Sequence, residues 1–79
     1  MKLTYDPRYN NAYIQLREKT ETVNSIKISE ELVIDMSADG TVYGIELLNA
    51  KDQLNNSKSL HLSFINEATG EEKQFDIAA

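Results

Sequence analysis

Asp35 and Glu46 are the side chains in this sequence best suited to acid–base chemistry. Two carboxylates held close together titrate at different pH values, so one can donate a proton while the other accepts one. If both lie on one face of a β-sheet, they form a diagonal pair. That spacing also suits carboxylates that accept backbone hydrogen bonds or that repel an unwanted strand at a sheet edge. We therefore interpret Asp35 and Glu46 as structural residues first and as a polar-site candidate second.

A metal centre or a nucleophilic active site finds little support in the sequence. His61 is the only histidine and the chain has no cysteine, so every other ligand of a zinc ion would be a carboxylate. The serines lack the Gly-x-Ser-x-Gly pattern of a nucleophile elbow, and no phosphate-binding or dinucleotide-binding fingerprint is present. We expect no catalytic residue, no cofactor and no metal ion, and the sequence leans against an enzyme while leaving that class open.

Gly44, Tyr13 and Tyr43 are candidates for contact with another molecule. Glycine inside a strand costs stability, so it usually marks a bulge, a bend or the close approach of another group. We expect Tyr13 or Tyr43 to pack over Gly44, with an approaching ligand as the alternative. Tyrosine is enriched at interfaces, and Tyr13 has the parity opposite to Ile14 and Leu16, which are expected to point inward. These three residues are therefore interface candidates.

Composition limits the classes of function that remain. The chain has 79 residues, with thirteen acidic and eight basic side chains and a net charge of −5. The length predicts one domain, residues 1–79, with little room for a deep cleft. Negative charge opposes binding to nucleic acid, because such binding depends on cations that displace counterions from phosphates. Chains this short often associate to gain stability, so we expect a homodimer or a complex with another small protein.

The sequence also predicts where the protein is found. Its apolar stretches are far shorter than the roughly 20 residues that cross a membrane, so we expect no membrane contact. The N-terminus lacks the pattern of a signal peptide, and the absence of cysteine is typical of a reducing compartment. We therefore expect a cytoplasmic protein.

Alternation of apolar and polar residues predicts that β-strands position the candidate side chains. The clearest segment is residues 31–49, where Asp39-Gly40 predicts a two-residue type I′ hairpin loop. Such a loop pairs apolar residues along one face: Met36 with Tyr43, Ile34 with Ile45, and Leu32 with Leu47. A three-residue loop would put Ile34 opposite Gly44, so the apolar pattern favours an even-length loop.

The rest of the chain predicts five more strands, at residues 2–5, 12–17, 22–28, 59–65 and 72–77. We expect a bulge near Asn24-Ser25, because the parity of Val23 is opposite to that of Ile26 and Ile28, which are expected inward. A helical turn anchored by Leu54 is expected within residues 50–58. Gly70 is expected at positive φ in the turn before the last strand, whose Phe75 and Ile77 are expected inward. The predicted fold is mainly β: an antiparallel meander of hairpins forming a small barrel or an open two-layer roll, with at most short helical turns.

Several segments in the first two-thirds of the chain resemble a known family pattern. They are Met1-Lys2-Leu3-Thr4-Tyr5-Asp6-Pro7, Ala12-Tyr13-Ile14-Gln15-Leu16, Val33-Ile34-Asp35, Asp39-Gly40 and Val42-Tyr43-Gly44-Ile45-Glu46-Leu47-Leu48-Asn49-Ala50. This pattern is similar to that of the small bacterial family catalogued as domain of unknown function 2283. Residues 8–11 depart from the acidic, alanine-rich loop usual there, and residues 51–79 match no pattern. The resemblance implies family-like hairpins over residues 1–50, followed by a connection and a C-terminal hairpin.

The sequence thus favours a protein of unknown activity that acts as a non-enzymatic protein-interaction module. Two alternatives stay open. The family resemblance suggests an antitoxin-like partner of a small basic toxin. The carboxylates Asp35 and Glu46 suggest instead a small-ligand binder or an enzyme.

Overall fold

The computed structural model describes residues 1–18, 20, 22–54 and 60–77. Within these residues the chain forms seven strands and one short helix. In chain order they are β1 (Lys2–Asp6), β2 (Asn11–Gln15), β3 (Asn24–Ser29), β4 (Leu32–Met36), β5 (Val42–Leu47), α1 (Ala50–Leu54), β6 (Leu60–Ile65) and β7 (Glu72–Ile77). The prediction of a mainly β, antiparallel fold is confirmed.

Five strands form one antiparallel sheet in the order β1-β2-β5-β4-β3, and β6 and β7 form a separate two-stranded hairpin. Strand β5 lies at the centre, because β2 pairs with β5 rather than with the next strand in the chain. The edge strands β1 and β3 do not pair with each other. The sheet of the described strands is therefore open, and the barrel predicted as one arrangement does not form.

The register aligns one aliphatic residue from each strand in a single row across the sheet. From β1 to β3 the row contains Leu3, Ile14, Ile45, Ile34 and Ile26. A second row contains Tyr5, Ala12, Leu47 and Leu32. Because side chains alternate between the two sides of a strand, both rows lie on one side of the sheet. We call these nine residues the apolar face, and the opposite side the polar face.

The β4–β5 hairpin keeps two of the three predicted apolar pairs, whereas Met36 pairs with Val42 and not with Tyr43 as predicted. Ile34 pairs with Ile45 and Leu32 with Leu47. The turn that joins the two strands differs from the prediction, however. Hydrogen bonds from Ser37 N to Thr41 O (2.9 Å) and from Gly40 N to Ser37 O (3.0 Å) close a three-residue loop.

Residues 38–40 form this loop, with Gly40 at φ 91°. Asp39 does not have the positive φ that a type I′ turn requires, so the two-residue type I′ prediction is wrong. Tyr43 is an extra residue in β5, because the pairs Asp35–Gly44 and Met36–Val42 leave it unopposed. This bulge compensates for the odd loop and returns the apolar residues to one face.

The irregularity predicted in β3 lies at the other end of that strand. The register shifts between Lys27 and Ser29, so Ile28 is bulged, and the bulge predicted at Asn24-Ser25 is wrong. Ile28 was expected inward but is 56% exposed, whereas Ile26 pairs with Ile34 in the aliphatic row. Val23 precedes β3, so its parity carries no information about that strand.

Helix α1 lies at the end of the sheet next to the β1–β2 turn. The N–H of Ala50 donates to Asn10 O (2.8 Å), and the N–H of Lys51 donates to Asn10 Oδ1 (2.9 Å). Ala50 is fully buried, whereas Leu54, the predicted anchor, is 41% exposed. The helix is thus held by Ala50 and Lys51 at its start and by Gln53, whose Nε2 donates to Glu31 O (2.9 Å). No helix in the described part of the chain has the length and apolar character needed to cross a bilayer.

The β6–β7 hairpin turns through a four-residue loop, residues 67–70. The N–H of Asn66 donates to Glu71 O (2.9 Å), and Gly70 has φ 76°. Leu62 pairs with Phe75. Phe75 was expected inward but remains 53% exposed.

The described residues enclose only a very small hydrophobic core. Its buried members are Ala12, Tyr43 and Ala50, and no large apolar side chain among the described residues is fully buried. The apolar face is half-buried except at Ala12, which is buried, and at Ile26, which is exposed. A sheet normally buries its apolar side against a second layer. Within the described chain, eight of the nine residues of the apolar face are not buried.

Candidate functional site

Three of the predicted site residues come together on the polar face: Tyr13, Gly44 and Asp35. The side chain of Tyr13 extends from β2 across β5, and its hydroxyl donates to Asp35 Oδ2 on β4 (2.7 Å). It passes directly over Gly44. A Cβ on Gly44 would lie 2.9 Å from Tyr13 Cε2 and closer still to the hydroxyl oxygen. The absence of a side chain at Gly44 is therefore what allows Tyr13 to reach Asp35.

Ser25 completes this arrangement from the edge strand β3. Its hydroxyl donates to Asp35 Oδ1 (2.7 Å), so each carboxylate oxygen accepts a hydroxyl hydrogen bond. Ser25, Asp35 and Gly44 occupy directly opposed positions on β3, β4 and β5. We call the hydrogen-bonded side chains Tyr13, Asp35 and Ser25 the polar network; it spans four of the five strands.

Asp35 is only 8% exposed. Burying a carboxylate costs free energy unless hydrogen bonds replace those lost to water, and the two hydroxyls provide this replacement. A substrate would have to displace Tyr13 or Ser25 to reach these oxygens. The arrangement is thus chemically suited to holding strands together.

The other candidate residues have different surroundings. Glu46 pairs with Tyr13 and Val33, which puts it on the polar face in the predicted diagonal relation to Asp35. Tyr43 is 5% exposed, and the guanidinium carbon of Arg17 lies 5.8 Å from the centroid of its ring. This distance permits a cation–π contact. Tyr43 therefore packs within the chain and presents little surface to a partner.

Ser25 is the member of the polar network that sequence reasoning did not identify. The signal was the register of the β3–β4 pair, in which Ser25 is opposite Asp35. The expected bulge at Asn24-Ser25 concealed this pairing.

His61 lies on β6 opposite Asp76 and is exposed. Within the described residues, no group of three or more His, Asp or Glu side chains is arranged to hold a metal ion.

Two aspartates stabilise turns away from the polar network. The Arg8 guanidinium and backbone N–H donate to Asp6, and these hydrogen bonds lower the pKa of Asp6. The Ser37 hydroxyl and the Thr41 N–H donate to Asp39 and lower its pKa to about 2. Both carboxylates therefore favour their charged forms in the folded chain.

The apolar face is the second candidate site. Its central row runs across all five strands and contains only Leu and Ile: Leu3, Ile14, Ile45, Ile34 and Ile26. Ile26, at one end, is 38% exposed. The other four side chains of the row are half-buried, so the row is accessible in part.

Comparison with known proteins adds one finding. Residues 2–51 match the model of the family described as Protein of unknown function (DUF2283). The match spans all five strands of the sheet and ends within α1, before the β6–β7 hairpin. No curated protein and no solved structure matches the chain. With more than half of its length matched, including the whole sheet that carries both candidate sites, the chain belongs to the DUF2283 family of proteins of unknown function.

Proposed function

We propose that this protein is a non-enzymatic protein-interaction module that uses the apolar face of its sheet to pack against protein. The observation that supports this function is the aliphatic row from Leu3 to Ile26. It crosses five strands, and none of its five side chains is buried within the described chain. Hydrophobic burial is the main favourable term in protein association. Packing of another protein surface on this face would remove its aliphatic side chains from water.

The polar face supports a structural reading of the candidate carboxylate. Asp35 is buried, and its oxygens accept hydrogen bonds from Tyr13 and Ser25. No observation among the described residues favours the ligand-binding or enzymatic alternative, and none favours the antitoxin-like alternative. The proposal includes a cytoplasmic location, since a chain without cysteine forms no disulfide and suits a reducing compartment.

Thiol labelling tests whether protein covers the apolar face. The chain has no native cysteine, so single-cysteine variants Ile26→Cys and Lys27→Cys give unambiguous signals. These neighbours lie on opposite faces of β3. Each variant is expressed in the native cell, and maleimide labelling is followed in fresh lysate, with urea-unfolded protein as the reference.

We expect the thiol of Ile26→Cys to react severalfold more slowly than that of Lys27→Cys in native lysate. In urea the two rates should be equal. In the isolated chain Ile26 is 38% exposed and the Lys27 side chain is 58% exposed. Exposure within the chain alone would therefore cause only a small difference between the two labelling rates. Equal native rates would mean that the apolar face is open to solvent, and the proposed function would be wrong.

A further inference from the structure

We infer that the layer covering the apolar face is the same face of a second copy of this chain. The inference rests on the proposed function and names the partner. It makes the apolar face the centre of a two-fold homodimer in which two five-stranded sheets pack face to face.

The exposed area of the chain supports this partner. A compact monomer of 9.0 kDa exposes about 4,900 Å², whereas this chain exposes 6059 Å². The excess is about 1,200 Å², and a specific interface buries about 800 Å² on each partner. The chain as a whole, including the exposed β6–β7 hairpin, therefore leaves more surface in excess than a stable dimer needs.

The chemistry of the face fits self-association. The central row contains no charged side chain, so the net charge of −5 is carried elsewhere and the row offers no charge for a basic or acidic partner to recognise. Stable homodimer interfaces are more apolar than transient ones. A face made of aliphatic side chains of similar size is complementary to itself.

The geometry of the row meets the requirement of two-fold symmetry. In such a contact the same patch serves both subunits. Ile45 lies on the central strand β5, with two row positions on either side of it. A two-fold axis near Ile45 brings each half of the row against the other half of the partner's row. Two sheets packed in this way, about 10 Å apart, form a β-sandwich shared between subunits.

The mass of the purified full chain in solution tests the inference. Light scattering coupled to size exclusion should give twice the chain mass of 9.0 kDa. Leu3→Lys changes one end of the aliphatic row, and Thr4→Lys adds the same charge to the exposed polar face of the same strand. We expect Leu3→Lys to lower the dimer fraction strongly and Thr4→Lys to leave it unchanged.

Ile26→Lys, at the opposite end of the row, gives a second reading that does not depend on whether Leu3→Lys folds. Circular dichroism identifies the variants that retain the sheet. A monomeric wild-type chain would overturn the inference. So would a folded Leu3→Lys or Ile26→Lys variant that dimerises like wild type, since the contact would then use another surface such as the β6–β7 hairpin.

The thiol experiment separates the two failures. If the purified chain is monomeric but the thiol of Ile26→Cys is protected in native lysate, a different protein covers the face. The second-copy inference is then wrong and the proposed function stands. If the purified chain is monomeric and the thiol of Ile26→Cys is also unprotected in native lysate, the second-copy inference and the proposed function are both wrong.

Discussion

The hydroxyl of Tyr13 donates a 2.7 Å hydrogen bond to Asp35 across the full width of strand β5. The two residues lie on strands that are not neighbours, and Gly44 occupies the position between them. With Ser25 on the far side of Asp35, the contact links β2, β4 and β3 over β5. The polar face is thus held by hydrogen bonds, while the apolar face offers its aliphatic row for burial.

Gly44→Ala should destabilise the fold through a clash with Tyr13. The added Cβ has no room beneath the ring, and overpacking of this kind costs about 1–3 kcal/mol. Urea unfolding gives the free energy of the wild type and the variant. The control is the same substitution in a Tyr13→Ala background, where most of the cost should disappear. An equal cost in both backgrounds would show that the clash is not its source.

Tyr13→Phe should destabilise the fold because it removes one hydroxyl from the buried carboxylate of Asp35. Hydrogen bonds to charged groups contribute about 1.5–3 kcal/mol, and we expect a loss in that range by urea unfolding. Tyr9→Phe is the matched control, since Tyr9 is 71% exposed and should tolerate the change. Equal stabilities of the two variants would contradict the structural role of the polar network.

The sequence predicted the β4–β5 pairing because alternation leaves one register in which Ile34 and Ile45 share a face. It did not predict the loop. The alternation of apolar residues on β4 and β5 fixes only whether the total number of loop and bulge residues is even. A two-residue loop satisfies this condition, and so does a three-residue loop with a bulge at Tyr43. The choice depends on the φ of Asp39 and on the Ser37 and Thr41 hydrogen bonds, which the apolar pattern does not reveal.

The candidate site was predictable to a similar extent. A glycine within a strand signals close approach, and Tyr13 was one of two tyrosines expected over Gly44. The contact with Asp35 was not predictable from local patterns, because it requires β2 to pair with β5 rather than β3. The order of strands that are not consecutive in the chain depends on which arrangement of the sheet best buries their apolar sides. That is a property of the whole sheet.

Asp39→Asn should destabilise the hairpin loop in a pH-dependent way. The pKa of Asp39 falls from 3.8 to about 2 on folding, because Ser37 and Thr41 donate to the carboxylate. A lowered folded-state pKa stabilises the fold above the unfolded value, and this contribution is lost as the pH falls towards the folded value. The difference in stability between the wild type and Asp39→Asn should therefore be largest above pH 4 and should disappear as the pH falls from 4 to 2.

Thermal unfolding at several pH values measures this difference. Ser37→Ala removes the largest cause of the shift, so the pH dependence should become shallower in that variant. Parallel profiles of wild type and Asp39→Asn from pH 2 to 6 would contradict the role assigned to the Asp39 carboxylate.

The thermal midpoint of the wild type should rise with protein concentration. If the native state is a dimer and the unfolded state is a single chain, mass action makes stability depend on chain concentration. A hundredfold increase adds about 2.7 kcal/mol per dimer and should raise the midpoint by several degrees. Thr4→Lys should show the same slope, whereas Leu3→Lys should show almost none, because its aliphatic row no longer packs on a partner. Calorimetry across this concentration range measures all three slopes. A wild-type midpoint independent of concentration would mean that the sheet keeps its stability without a second copy.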